Sequence, residues 1–427
     1  MRITFRWLRR YAWFIVTVAL IGLSFGAYLL WPEQQPQAPK DIAALDASIE
    51  KGRYLATIGN CATCHTTKNG QPFAGGVKFL TDFGVLYSTN ITSDKETGIG
   101  GWSFADFYRA MKHGMRPDGT HLYPAFPYTS FAKMTDTDIA SIYLYMKTVR
   151  PVHAPAKSNE LQFPYNLRIA LRAWNKLFHT PDTYAADPLQ SAEWNRGAYL
   201  VQGVGHCGAC HTPRNFLGAE RTDMALTGGV LFDEVYKRKY RTWSAVNLTP
   251  AKTGLAGWSI EDIVAYLKQG ENEYAVVHGP MNEVVINSTH YLDDADARAI
   301  GSYLKGLPAN SQHSGREPRH EQLLAGQITY TVHCGTCHLP TGFGDAVLGV
   351  TLAGNAIVQA AEPSSLINVI LYGPHLPPPP FVADRTRMKP FGKRLSDEEI
   401  ANLATYVRAS FGNQAGAVST HAVNRQR

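Results

Sequence analysis

Three short motifs place a pair of cysteines next to a histidine. They consist of Cys61, Cys64 and His65; Cys207, Cys210 and His211; and Cys334, Cys337 and His338. The chain has six cysteines, and every one of them belongs to such a motif. On one helical turn, two sulfurs at this spacing can reach the two vinyl groups of one porphyrin, and the following histidine can reach its iron. The motifs therefore predict three covalently bound haem c groups, with the cysteines as attachment sites and the histidines as proximal iron ligands.

Zinc binding and thiol redox chemistry are the alternatives for cysteine pairs of this kind. A structural zinc site needs four ligands, and one motif offers three at an unfavourable geometry. A thiol redox pair is expected within a βαβ pattern, which the sequence does not contain. Three chance occurrences of the motif are negligible with 6 cysteines and 15 histidines among 427 residues. The sequence therefore favours haem at all three places.

A second axial ligand is expected on a loop ahead of the last helix of each repeat. A methionine there raises the reduction potential, because its thioether is a weak donor that favours ferrous iron. Met281 follows Gly279 and Pro280, and Met388 precedes Lys389 and Pro390. Their polar, proline-containing surroundings favour ligation over a role as core methionines. We therefore predict Met281 and Met388 as the sixth ligands of the second and third haem.

The first repeat departs from this pattern. Phe126 stands where a ligating methionine is expected, and phenylalanine cannot bind iron. Met134, Met115 and His121 are close in sequence, so the sixth ligand is one of these three or the position is open. An open position would bind small ligands, and His121 is then the candidate acid–base residue of a peroxidase-like enzyme. The remaining histidines, among them His278, are interpreted as surface or haem-propionate contacts.

The motifs lie in a unit that is repeated three times. Each unit ends in an amphipathic helix with a polar cap at Thr135, Asp293 or Ser396. The repeats predict a mostly α fold with three tandem cytochrome c-like domains at 45–152, 191–308 and 318–412. Residues 153–190 form a connector, in which apolar residues at helical spacing over 163–178 predict a bracing helix.

The N-terminal region predicts a membrane anchor. Residues 11–31 carry no charge, and 21 helical residues span roughly 31 Å, about one hydrocarbon core. Four arginines precede this stretch, which keeps the N-terminus cytoplasmic and places the remainder in the periplasm. A cleaved signal peptide is the alternative, but the apolar stretch is longer than usual and no clear cleavage site follows it. We therefore expect an uncleaved transmembrane helix in the inner membrane.

The charge balance excludes one class of partner. The net charge is +6, but the four N-terminal arginines account for most of it and leave +2 for the exported part. A charge this small rules out a broad basic face for nucleic acid.

Further sequence blocks carry a resemblance to a known family. They begin at Phe73, Tyr87, Leu122 and Gly205. With the three motifs they resemble, over roughly residues 45–412, the tri-haem cytochrome c subunit of membrane-bound bacterial dehydrogenases, which include alcohol, gluconate, fructose and aldehyde dehydrogenases.

The resemblance implies an electron-transfer subunit that is not an enzyme by itself. It would accept electrons from a catalytic subunit of the PQQ, flavin or molybdenum type and pass them to ubiquinone or an oxidase. Two features depart from the family pattern, namely the N-terminal helix in place of C-terminal amphipathic segments and the residue Phe126. A cytochrome c subunit of a terminal oxidase and a peroxidase-like haem enzyme are the alternatives.

Overall fold

The computed structural model describes residues 3–31, 36–236, 239–311, 315–345, 347–377, 381 and 388–427. Helix α1, Ile3–Leu30, begins the chain. Its stretch Ala12–Leu30 has a mean hydropathy of 2.1 and is not buried within the protein. Among the described residues it is the one helix long and apolar enough to cross a membrane.

The first unit builds its helices around the first cysteine motif. Ser103 and Asp106 form a capping box at the start of its third helix, and Gly114, at a φ of +58°, ends that helix. Strands β1 and β2 pair antiparallel. The elements are α2 Ile49–Ile58, α3 Cys61–His65, β1 Lys78–Thr81, β2 Gly84–Tyr87, α4 Phe104–His113, α5 Tyr128–Phe131 and α6 Asp136–Met146.

The connector contributes a strand and a helix. Strand β3, Glu160–Leu161, extends the first unit's sheet by pairing with β2. The helix predicted over 163–178 forms only as α7, Ala170–Phe178. This correction has a local cause, because residues 164–168 are held in turns instead, in which Tyr165 and Leu167 donate to the carbonyls of Gln162 and Pro164.

The second unit repeats the first but has a longer hairpin, and the sequence analysis predicted the strands of neither unit. The capping box recurs with Ser259 and Asp262, and Gly270 ends that helix. Ser244 in the hairpin exchanges backbone and side-chain hydrogen bonds with Ser365 in the third unit. The elements are α8 Ala192–Gln202, α9 Gly208–His211, β4 Gly229–Tyr236, β5 Lys239–Ala245, α10 Ile260–Gln269, α11 Met281–Asn287 and α12 Asp294–Gly306.

The third unit includes the end of the chain, beyond the boundary expected at 412. Val418 and Val423 are buried in its core. Arg408 is fully buried and donates to the carbonyls of Gly416, Val358 and Ala360, which holds the returning tail. The elements are α13 His320–His333, α14 Gly335–His338, α15 Ser364–Tyr372, α16 Asp397–Ala409 and α17 Thr420–Gln426.

A glycine lies where two helices of each unit cross, namely α2 with α6, α8 with α12 and α13 with α16. A Cβ added at Gly52, Gly197 or Gly326 would overlap the backbone carbonyl of Ser141, Ala299 or Asn402, respectively. The two helices can approach this closely only because these residues have no side chain.

We expect Gly197→Ala to destabilise the protein by roughly 1–3 kcal/mol, because a backbone carbonyl must move to admit the methyl group. The thermal midpoint of the haem-loaded protein measures this effect. Gly257→Ala is the matched control, because a Cβ at Gly257 meets nothing within 4 Å. Equal midpoints for the two variants would contradict the close helix crossing.

The first two units share one hydrophobic core. Buried residues such as Leu55 and Met134 from the first unit belong to the same cluster as Leu200 and Ile300 from the second. The third unit has a core of its own around Leu366 and Ile400. The first two units therefore pack together as a pair, whereas the third unit has a separate core.

Reciprocal polar contacts tie the pair together. Tyr54 donates to Asp296 at 2.7 Å, and Tyr199 donates to Asp138. Within the second unit, Arg196 also binds Asp296 through two nitrogens at 2.6 and 2.7 Å, which orients the carboxylate that accepts from Tyr54. The two aspartates occupy equivalent positions, each three residues after a helix cap. The first two units therefore contact each other through the same face, as in a two-fold dimer.

Candidate haem-binding sites

The three cysteine motifs form short helical turns that follow the first helix of each unit. None of the six cysteines forms a disulfide. Burial raises the pKa of Cys61 and Cys207 to about 12 and that of Cys334 to about 11. A thiol redox pair needs a lowered pKa, so this environment argues against redox chemistry at the sulfurs.

Each motif histidine is oriented by a backbone carbonyl. Nδ1 lies 2.7 Å from the Thr89 oxygen in His65, 2.8 Å from the Val246 oxygen in His211 and 2.9 Å from the Val350 oxygen in His338. A carbonyl can only accept, so Nδ1 carries the proton and Nε2 keeps its lone pair. Burial lowers the pKa of all three rings and favours their neutral form. A neutral imidazole with a fixed ring and a free Nε2 is suited to bind iron.

A large apolar cavity adjoins the second motif. It measures about 230 Å³, whereas one buried water needs roughly 10–15 Å³. Cys207, Cys210, His211 and Met281 all line it. Thiols, an oriented histidine and a thioether around one apolar space form the donor set of a haem c, and these residues fit that group.

All three units contribute to the wall of this cavity. Ile58 and Asn60 come from the first unit, and Asn355, Ile357 and Ser365 come from the third. The second site is therefore assembled at the junction of the units.

The comparisons with known proteins agree with this chemistry. The family model "Cytochrome c" matches residues 49–150, and the model "Cytochrome C oxidase, cbb3-type, subunit III" matches residues 321–407. The alcohol dehydrogenase (quinone) cytochrome c subunit of Gluconacetobacter polyoxogenes is 39% identical over 88% of this chain and 83% of its own length. The fructose dehydrogenase cytochrome subunit of Gluconobacter japonicus is 37% identical over 92% and 85% of the two chains.

The chain belongs to the family of cytochrome c subunits of bacterial dehydrogenases. These relatives are electron-transfer subunits and not catalytic ones. A nicotinate dehydrogenase subunit of Pseudomonas putida is also 39% identical over 93% of this chain, but the chain spans only 34% of that protein. Because the relatives that match most of the chain are dehydrogenase subunits, the oxidase alternative finds support only in the match to the third unit.

Two more histidines of this cytochrome subunit, His206 and His278, line the second cavity. His278 is expected to be a surface or propionate contact, yet it is a wall residue of the same cavity as Met281. Its Nδ1 lies 3.1 Å from the Val276 oxygen, so Nε2 is again the free nitrogen. The only sequence signal was its position three residues before Met281.

At the first site of the cytochrome subunit, Phe126 occupies the position expected for a ligating methionine. That residue packs partly buried against the shared core, which also includes Cys61 and the fully buried Met134. His121 is engaged elsewhere, because its Nδ1 lies 2.9 Å from the amide nitrogen of Asn175 in α7. Among the candidates, Met134 is fully buried in the shared core, Met115 is buried as well, and His121 contacts the connector.

The third site of the cytochrome subunit places Met388 against the third core. Residues 382–387, which precede it, lie outside the described residues. Met388 thus packs on the same core as Cys334 and Tyr330.

The first and second motifs of the cytochrome subunit lie close together. Burial and then the nearby Cys210 thiol raise the pKa of Cys64 to about 11. His206, next to Cys207, has its Nε2 3.2 Å from the Gly59 carbonyl oxygen. The two attachment turns therefore meet at the interface of the paired units.

Proposed function

We propose that this chain is a membrane-anchored cytochrome with three haem c groups that passes electrons from a periplasmic dehydrogenase to ubiquinone or an oxidase. The observation that carries the proposal is the threefold repetition of one arrangement. In each motif, a histidine beside paired thiols has its Nδ1 held by a backbone carbonyl, which keeps Nε2 free for iron. The names of the relatives support the role of the chain beside a catalytic subunit.

The six cysteines attach the three haems and the three motif histidines bind their irons. Met281 and Met388 are the sixth ligands at the second and third site. At the first site the candidates for the sixth ligand are Met134, Met115 and His121, and an open position is the alternative. The domains extend over 45–152, 191–308 and 318–412, the last continued by the tail that packs on it.

The second haem is the intermediate station of the relay. Its cavity is lined by residues of the first and third units, and His206 beside its attachment turn contacts the carbonyl of Gly59, two residues before Cys61. The second haem can therefore exchange electrons with the haem of the first unit and with that of the third.

The third unit offers a surface to the dehydrogenase. Leu324, Ile328 and Val332 form an apolar stripe along α13 that ends at the third motif, and they are 48%, 67% and 65% exposed. Ile328 is two residues after Gly326, and its counterpart in the first unit is Tyr54, two residues after Gly52. Tyr54 is covered by the second unit. An apolar face without charge is typical of the centre of a stable interface.

We expect Ile328→Lys to release the catalytic subunit when the tagged cytochrome is purified from membranes, because a charge would then lie in a desolvated contact. Gln327→Lys adds the same charge to a neighbouring exposed position and is the control. Haem content should stay unchanged in both. Equal amounts of catalytic subunit in both preparations would place the partner elsewhere.

Deletion of the gene tests the function as a whole. Membranes are supplied with an alcohol, fructose, gluconate or nicotinate, the substrates in the names of the relatives. We expect oxygen uptake on one of them to fall to the level without substrate and to return with the intact chain. If uptake on all four is the same with and without the gene, the assignment to these dehydrogenases fails.

A further inference from the structure

The connector touches the end of the membrane helix directly. Lys176 of α7 donates to the backbone oxygens of Tyr28 at 2.5 Å and Trp31 at 2.9 Å. Arg172, one turn earlier on the same face, donates to the Leu30 oxygen at 3.4 Å. The last carbonyls of a helix have no partner in its own ladder, and a cation at a helix C-terminus is favourable.

This contact fixes the depth of α7. The apolar stretch of the anchor ends at Leu30, so its last carbonyls lie at the boundary between hydrocarbon and headgroups. A helix whose side chains bond those carbonyls lies at the level of the lipid headgroups.

A second side of α7, about 100° around the helix from Arg172 and Lys176, packs on the first unit. Leu171 and Asn175 are buried. Asn175 accepts a hydrogen bond from the Tyr128 hydroxyl at 2.6 Å and contacts the His121 ring. The helix is therefore held rigidly between the haem-binding part and the anchor.

The face turned away from the first unit is apolar and uncovered. Ile169 and Leu177 lie on it two turns apart and are 49% and 50% exposed. Phe163, Tyr165 and Leu167, which lead into the helix, are 77%, 41% and 46% exposed. The segment 163–178 contains no acidic residue, so no negative charge on it opposes anionic headgroups.

We propose that residues 163–178 form a second membrane contact, in which this apolar face enters the interface of the lipid bilayer beside the anchor. The inference rests on the proposed anchoring of the chain by α1. The two contacts together would fix the orientation of the haem units relative to the membrane surface, which one helix and a polar linker cannot do.

Spin labels on the haem-loaded full-length protein test this contact. Leu177→Cys and Ile169→Cys are labelled with a nitroxide, since the six native cysteines are bound to haem, and the protein is placed in vesicles of phosphatidylcholine with phosphatidylglycerol. We expect both labels to be accessible to oxygen and shielded from a water-soluble nickel chelate. Leu189→Cys, in the connector but 90% exposed and beyond α7, is the control and should show the reverse. Haem content verifies folding, and Phe163→Cys replaces any variant that does not fold.

A fourth label, Leu20→Cys in the centre of α1, separates the two hypotheses. If Leu20 is lipid-exposed while positions 169 and 177 face water, the anchor stands and the second contact is wrong. If Leu20 also faces water, the anchor itself is wrong. If positions 169 and 177 become shielded only when the dehydrogenase subunit is added, a protein covers this face and the lipid contact is refuted.

Discussion

Replacing Cys207 and Cys210 together by serine is expected to yield a protein with at most two haems and with low stability in all three units. The emptied site would leave an apolar cavity of about 230 Å³ whose wall comes from every unit. At ~24 cal/mol per Å³, such a cavity costs about 5 kcal/mol, which is comparable to the whole stability of many domains. Intact mass and haem absorbance count the groups, and thermal unfolding measures the loss.

The matched control removes the third haem in the same way. Cys334→Ser with Cys337→Ser should lower stability less, because the third unit has its own core and the pair of units keeps its shared one. Electron flow from substrate to oxygen should stop in the second-site variant. If both variants lose the same stability, or if the second-site variant still carries three haems, the central position of the second haem is wrong.

In the reduced Met281→Leu variant, we expect one more of the existing haems to bind carbon monoxide than in the wild type. Leucine fills the space of methionine but has no sulfur, so the iron of the second haem loses its sixth ligand. The reduction potential of one haem should also change, because the thioether no longer stabilises the ferrous state. Titration with carbon monoxide measures how many molecules of the gas are bound per haem in the variant and in the wild type. The comparison is needed because the first haem can bind the gas already if its sixth position is open.

The control for this variant is Met224→Leu. Met224 lies in the same unit, in a short 3-10 helix, and is not among the residues that line the second cavity. It should leave gas binding and potentials unchanged. If Met281→Leu binds no additional carbon monoxide but the potential falls, His278 takes the vacant position, because its free Nε2 faces the same cavity. If neither quantity changes, Met281 is not a ligand.

The grouping of the candidate ligands could be predicted from the sequence. Adjacent residues such as Cys64 and His65 need only one helical turn to come together, so spacing alone indicates their joint use. The family resemblance is confirmed by the relatives, and capped helices form after Thr135, Asp293 and Ser396. Local signals of this kind depend on hydrogen bonds within a few residues and hardly on the remaining fold.

Contacts between distant residues were not accessible in the same way. Tyr54 and Asp296 are 242 positions apart. A single sequence, considered by itself, contains no signal for a specific long-range pair of this kind. The β1–β2 and β4–β5 hairpins were missed because their strands carry no sustained alternation of apolar and polar residues. The tail after 412 was missed because its small and polar residues carry no periodic pattern, and its burial depends on Arg408.

The sequence by itself determined which atoms are available for chemistry, namely three sets of two thiols and one imidazole, each set within a single turn. Only the tertiary structure decided how those sets are arranged, with the first two units packed face to face and the second site enclosed by all three. The reason is that covalent neighbours are fixed by the chain, whereas the packing of units depends on side chains that meet only after folding. The same holds for α7, whose place beside α1 follows from contacts of Lys176 that no spacing in the sequence predicts.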